Sequence, residues 1–129
     1  KVLTGGNVLV AGAIDDTAKI QALKSIGAEV LVMPNAHGKV ELPDLLTELG
    51  RRGWNEIHVE AGNKLNGSLI REGLIDEIVA YLAPSLIGDA GQGMFNLPAL
   101  QSLDEQVRLT IRDVRMVGPD VRMIARVVR

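Results

Sequence analysis

The sequence predicts an α/β fold, with a mostly parallel sheet, flanking helices and an antiparallel hairpin at the C-terminal end. Three observations predict it. Short aliphatic runs alternate with helical periodicity over residues 8–83, the order produced by a parallel sheet with crossover helices. Residues 107–127 instead alternate apolar and polar side chains around Gly118-Pro119-Asp120, as an antiparallel ribbon with one wet face does. The chain of 129 residues is 47% hydrophobic, enough for one small domain with a real core.

Val8-Leu9-Val10-Ala11 is a continuous apolar run and reads as a buried strand. Asp15 or Asp16 can cap the next helix, which spans about residues 16–26 with Ile20, Leu23 and Ile26 on its apolar side. Gly27 stands where a left-handed residue ends a helix. Glu29-Val30-Leu31-Val32-Met33 is the second strand, and Pro34 to Gly38 a loop. Leu42, Leu45, Leu46 and Leu49 recur at the spacing of one helix face, with Pro43 tolerated in the first turn.

Ile57-His58-Val59-Glu60 is the expected third strand, followed by a helix from about Asn63 to Glu72 with Leu65, Leu69 and Ile70 inward. Glu77 to Ala83 is the fourth strand, and Pro84 to Asp104 a long, weakly patterned segment. Val107, Leu109 and Ile111 set a phase that flips to Val114 and Met116, which predicts a bulge near Asp113. Val121, Met123, Ala125 and Val127 alternate with Arg122 and Arg126 to complete the hairpin.

Composition excludes several classes. A net charge of −2 gives no basic stripe for nucleic acid. Trp54, Tyr81 and Phe95 are the only aromatics, too few for a base-stacking platform. No cysteine is present, so disulfides, thiolate metal sites and a cysteine nucleophile are excluded. No apolar run approaches the roughly 20 residues that span a bilayer. Two isolated histidines, His37 and His58, do not make a metal site, and Ser68 lacks the partners of a hydrolytic triad. These features point to a cytoplasmic protein.

The stretch from Ile57 to Ile70 carries the candidate site. It reads as strand, short turn and helix, with the Glu60 carboxylate at the last strand position. In open α/β sheets, ligands bind beyond the carboxyl ends of strands, where helix N-termini offer free N–H groups. Glu60 is either a functional carboxylate or a strand-end acid bonded to the next helix. Ala61-Gly62 is either a cofactor approach or a tight turn, and Lys64 either meets a phosphate or is solvated. His58 reads as a packed or hydrogen-bonded side chain.

Val59-Glu60-Ala61-Gly62-Asn63-Lys64-Leu65-Asn66-Gly67-Ser68-Leu69-Ile70, Gly73-Leu74-Ile75-Asp76-Glu77, Ala83-Pro84-Ser85-Leu86-Ile87-Gly88 and Val117-Gly118-Pro119-Asp120-Val121 together resemble the reductase domain of the bifunctional riboflavin biosynthesis deaminase/reductase family. The resemblance runs over essentially the whole chain. It implies a dihydrofolate-reductase-like, three-layer αβα fold. It also implies NADPH-dependent reduction of 5-amino-6-(5-phosphoribosylamino)uracil, a pyrimidine ribose phosphate, to the ribitylamino form. By the same resemblance, Glu60 is the catalytic and substrate-binding residue. Ala61, Gly62, Asn63, Lys64 and Leu65 bind the cofactor, and Gly12, at the end of the first strand, faces its adenosine side.

The family's usual Glu-Gly-Gly stands here as Glu60-Ala61-Gly62; alanine argues against a positive φ at position 61. The zinc deaminase motif is absent. The resemblance also implies about 70–80 residues of the same domain ahead of Lys1, an estimate from domain size. The chain then reads as the C-terminal portion of a reductase domain, inactive in isolation and plausible as a homo-oligomer. Two other readings remain open: a dihydrofolate-reductase-like enzyme for another pterin or pyrimidine, and a non-catalytic assembly domain.

Overall fold

The structure is a computed structural model that describes residues 7–129. The chain divides into two units, Lys1–His58 and Val59–Arg129.

In the first unit, β1 (Leu9–Gly12) pairs in parallel with β2 (Glu29–Val32), in the register Leu9 to Glu29 through Gly12 to Val32. Helix α1 (Thr17–Ser25) links them. Parallel neighbours need such a crossover, because a tight turn can only reverse the chain. Asp16 is the N-cap: its carboxylate accepts the Lys19 N–H at 3.0 Å and pairs with the Lys19 ammonium at 3.2 Å. Those hydrogen bonds hold the Asp16 carboxyl below its ordinary range.

Helix α2 (Leu42–Arg51) follows a loop ordered by Asn35, whose side-chain oxygen accepts from the His37 and Lys39 N–H groups at 2.9 Å each. Leu49 is buried. With Leu45, Val8, Leu9, Ala11 and Trp54 it lines an apolar cleft of about 360 Å³.

Helices α1, α2 and the later α3 (Asn63–Arg71) end in the same way. Gly27, Gly53 and Gly73 have φ of +87°, +88° and +67°. Their N–H groups reach back to the carbonyls of Lys24, Gly50 and Ile70, and the next N–H in each case reaches Leu23, Leu49 or Leu69. This pair of reversed bonds satisfies carbonyls that a helix end otherwise leaves open, and it needs a left-handed residue.

Arg52 joins β2 to the end of α2. Its two Nη groups donate to the two Glu29 carboxylate oxygens at 2.8 Å each, and its Nε donates to Glu48 at 2.9 Å. These hydrogen bonds lower the pKa of both Glu29 and Glu48 below the ordinary 4.5.

The expected third strand is a correction. Residues 54–62 are irregular, and Ile57-His58-Val59-Glu60 joins no ladder among the described residues. Ile57 and Val59 supply the apolar alternation, and His58 and Glu60 have partners, but a strand also needs a regular ladder with a neighbour, and none is formed among the described residues.

In the second unit, α3 leads to β3 (Glu77–Leu82), and a long connection containing a 3-10 turn at Leu103–Glu105 leads to β4 (Leu109–Val117) and β5 (Asp120–Val127). The sheet order is β3-β5-β4, antiparallel throughout. Gly118, with φ +61°, opens the two-residue turn between β4 and β5, the position where such hairpins use glycine.

The predicted bulge is present. Ile111 pairs with Ala125 and Asp113 with Ile124, so Arg112 is the extra residue. The bulge moves Asp113 off the apolar face and returns Val114 and Met116 to it. Asp113 then lies beside Arg122 and Arg115, which are directly opposed across the strands, and bonds the Arg122 guanidinium. Two opposed cations would repel without it.

The hairpin's basic face is less wet than expected: Arg122 is only 15% exposed. Its apolar face is less covered. Ala125 is fully buried, yet Ile111 and Met116 on the edge strand β4 are 60% and 62% exposed. The α/β class stands, with its parallel component in β1–β2 and its antiparallel component in β3-β5-β4.

The Arg52 clamp predicts an acid sensitivity. A carboxyl with a depressed folded-state pKa stabilises the fold above its unfolded pKa and loses that contribution as pH falls through the folded value. Thermal melts should therefore show the first unit losing stability below about pH 4.5, the ordinary glutamate value. Arg52→Gln should flatten that dependence; an unchanged pH profile would refute the clamp.

Candidate active site

The candidate site is built where irregular chain becomes helix. Gly62 is the N-cap of α3, with φ −78° and ψ 168°, and, being glycine, makes no side-chain cap bond of its own. The N–H groups of a helix start and the helix dipole together favour an anion there. Glu60 stands two residues before the cap in the chain.

Ala61 does not have a positive φ; among the described residues only Asn7 and glycines do. The replacement of glycine at 61 therefore brings no backbone strain. A Cβ added at Gly62 would meet nothing within 4 Å, and the same is true at Gly12. Packing among the described residues does not demand glycine at either position.

Glu60, Ala61, Gly62, Asn63, Lys64 and Leu65 are held together at the start of the second unit. Gly12 belongs to the first, where it ends β1 and its carbonyl accepts the Met33 N–H at 2.8 Å. Leu65 corrects the expected inward face of α3: it is 42% exposed, while Leu69 and Ile70 are buried. Leu65 occupies the first turn, beside the open N-terminus. His58 and Glu60 both have interaction partners. Leu86 and Ile87 are exposed side chains on the connection after β3.

The structure also brings forward residues to which the sequence assigned no role. The Asn66 amide donates to the Ala61 carbonyl at 3.2 Å and to the Met94 carbonyl at 3.3 Å. Arg71 donates to the Asn96 carbonyl and, at 2.9 Å, to the Ser68 hydroxyl. Gly67 is buried beneath Asn96. The one sequence signal was local disfavour: Asn and Gly are adjacent inside a helix that neither residue favours.

The RibD C-terminal domain family matches residues 1–123. The chain belongs to this family. Riboflavin biosynthesis protein RibD of Escherichia coli (strain K12) is 40% identical over 91 residues, which are 70% of this chain and 25% of that protein. A protein of Buchnera aphidicola (subsp. Acyrthosiphon pisum) named 5-amino-6-(5-phosphoribosylamino)uracil reductase is 29% identical over 86 residues, 67% of this chain and 42% of its own length. Among solved structures, RibD of Acinetobacter baumannii superposes with a TM-score of 0.83 at 28% identity, over 99% of this chain and 33% of that one. This RibD C-terminal domain chain thus spans about a quarter to two-fifths of the length of these relatives.

Gly67 offers a direct test of the packing at the site. A Cβ there would lie 2.3 Å from the Asn96 carbonyl oxygen and 2.8 Å from its carbon. Backbone cannot yield as a flexible side chain can, so Gly67→Ala should destabilise the fold by about 1–3 kcal/mol, the usual range for overpacking. Denaturant titration measures it; a neutral or stabilising result would show that residues 94–96 do not rest on α3.

Proposed function

We propose that this chain is the C-terminal part of a pyrimidine reductase domain within a longer protein, which reduces 5-amino-6-(5-phosphoribosylamino)uracil to its ribitylamino form with NADPH. One observation carries the proposal: the family match over residues 1–123 includes a carboxylate, Glu60, two residues before the Gly62 N-cap of α3. The Buchnera relative named for this reductase supports the choice of substrate.

NADPH, when bound, supplies the hydride. The N–H groups at Gly62, Asn63, Lys64 and Leu65 suit its phosphates, since a helix N-terminus accepts anions. The open space at Gly62 fits close approach of the dinucleotide's phosphates; the family resemblance alone assigns Gly12 to its adenosine side.

Hydride addition at the ribose carbon that bears the amine breaks its bond to the ring oxygen. The electron pair of that bond stays on the oxygen, which must gain a proton. Glu60 holds ribose hydroxyls and, directly or through water, manages that proton.

No described helix is long and apolar enough to cross a membrane, which accords with a cytoplasmic enzyme. The exposed apolar side of β4 supports a homo-oligomer, since such patches mark contact surfaces.

The full-length protein tests the reading. NADPH oxidation should proceed with the aminopyrimidine and not with dihydrofolate. Turnover of dihydrofolate alone would select the other reductase reading, and turnover of neither would overturn both. Glu60→Gln should lower kcat/KM at least about tenfold, the scale of 1.4 kcal/mol in the barrier. Unchanged kinetics would remove Glu60 from the mechanism.

A further inference from the structure

Asn66 makes two hydrogen bonds that a helix interior does not require. Its Nδ2 donates to Ala61, before the helix, and to Met94, in the connection between β3 and β4. The neighbouring bonds belong to the same arrangement. The Asn96 N–H donates to the Asn63 carbonyl at 2.9 Å, and the Asn96 carbonyl accepts from Arg71. Gly67 removes the side chain that would hold Asn96 away. The Met94–Asn96 segment is thus fastened to α3 at three backbone groups, and one fastening side chain also grips the turn in front of the helix.

That grip has a geometric consequence. The peptide between Ala61 and Gly62 is planar and trans, so its C=O and N–H point in opposite directions. Holding the Ala61 oxygen toward Asn66 fixes the Gly62 N–H away from it. This N–H is the leading donor of the α3 N-terminus. A donor already held in its bound direction need not be ordered when a ligand arrives, and affinity rises by the entropy not lost.

We propose that Asn66 is a positioning residue for dinucleotide binding: its amide clasps the Ala61–Gly62 peptide to the Met94–Asn96 segment and so sets the affinity of the α3 N-terminus for NADPH. The proposal rests on the reading of that terminus as the cofactor site. It also makes Met94–Asn96 a reporter of occupancy, because the same amide touches both sides of the clasp.

Asn66→Asp in the full-length protein is the test. Aspartate keeps the shape but, ionised, donates nothing and faces two carbonyl oxygens. KM for NADPH should rise about tenfold, the scale of one to two net hydrogen bonds. The kcat should change by less than about twofold, as expected when binding alone is lost. Asn66→Gln, which restores an amide donor, should recover part of the loss. A merely structural residue would reduce the folded fraction and leave the KM of the remainder unchanged; that result overturns the proposal.

Amide hydrogen exchange on the same variants supplies a second readout. Exchange at Asn96, whose N–H donates to the Asn63 carbonyl, should accelerate in Asn66→Asp, and unchanged exchange there refutes the clasp. If Asn66→Asp fails to fold, Asn66→Ala removes the donor without adding charge and carries both measurements. Failure of the unmodified protein to bind NADPH overturns the cofactor reading and the affinity claim with it, whereas the exchange experiment judges the clasp separately.

Discussion

The second unit depends on β5 being paired along both edges. Six of its residues, Val121 to Arg126, face β3 on one side and β4 on the other. Ala125, with no exposed surface, marks where the three strands close most tightly. This double ladder anchors both ends of the long connection, because that segment leaves β3 and returns as β4. Its middle is then fastened to α3 by Asn66 and Arg71. A segment with no regular ladder of its own is thereby positioned by its two ends and one point between. Connections of that length in a compact domain are otherwise functional or mobile.

What was legible in the sequence was what local chemistry decides. The three helices could be bounded because their ends are set by neighbours in the chain: Asp16 as cap, and Gly27, Gly53 and Gly73 as left-handed stops. The Arg112 bulge was legible within one residue, since a change of apolar phase is itself the footprint of an inserted residue. The hairpin turn followed from Gly118 and Pro119.

The misreadings share a different cause. Ile57 to Glu60 has the side-chain pattern of a strand, but pairing depends on a neighbour that the pattern does not name. Leu65 lies on the apolar stripe of α3 and is nonetheless exposed, because a stripe shows which side is apolar and not how far along the helix it is covered. Asn66 was invisible as a clasp because its acceptors are backbone carbonyls. One of them is 28 residues away, and any sequence would supply a carbonyl there. The candidate site was legible as a carboxylate before a glycine turn and a helix; the means of holding that turn was not.

The bulge in β4 has a consequence for behaviour in solution. Among the described residues β4 is an edge strand with a largely exposed apolar face, and such an edge is a template for pairing with other chains. A flat edge would stack indefinitely. The extra Arg112 breaks the pairing rhythm of this one, and Arg112 and Arg115 place cations along it. Charges and bulges are the means by which natural sheets keep edges from nucleating fibres. The residue that carries Asp113 to the arginine face therefore also acts as a gatekeeper against aggregation.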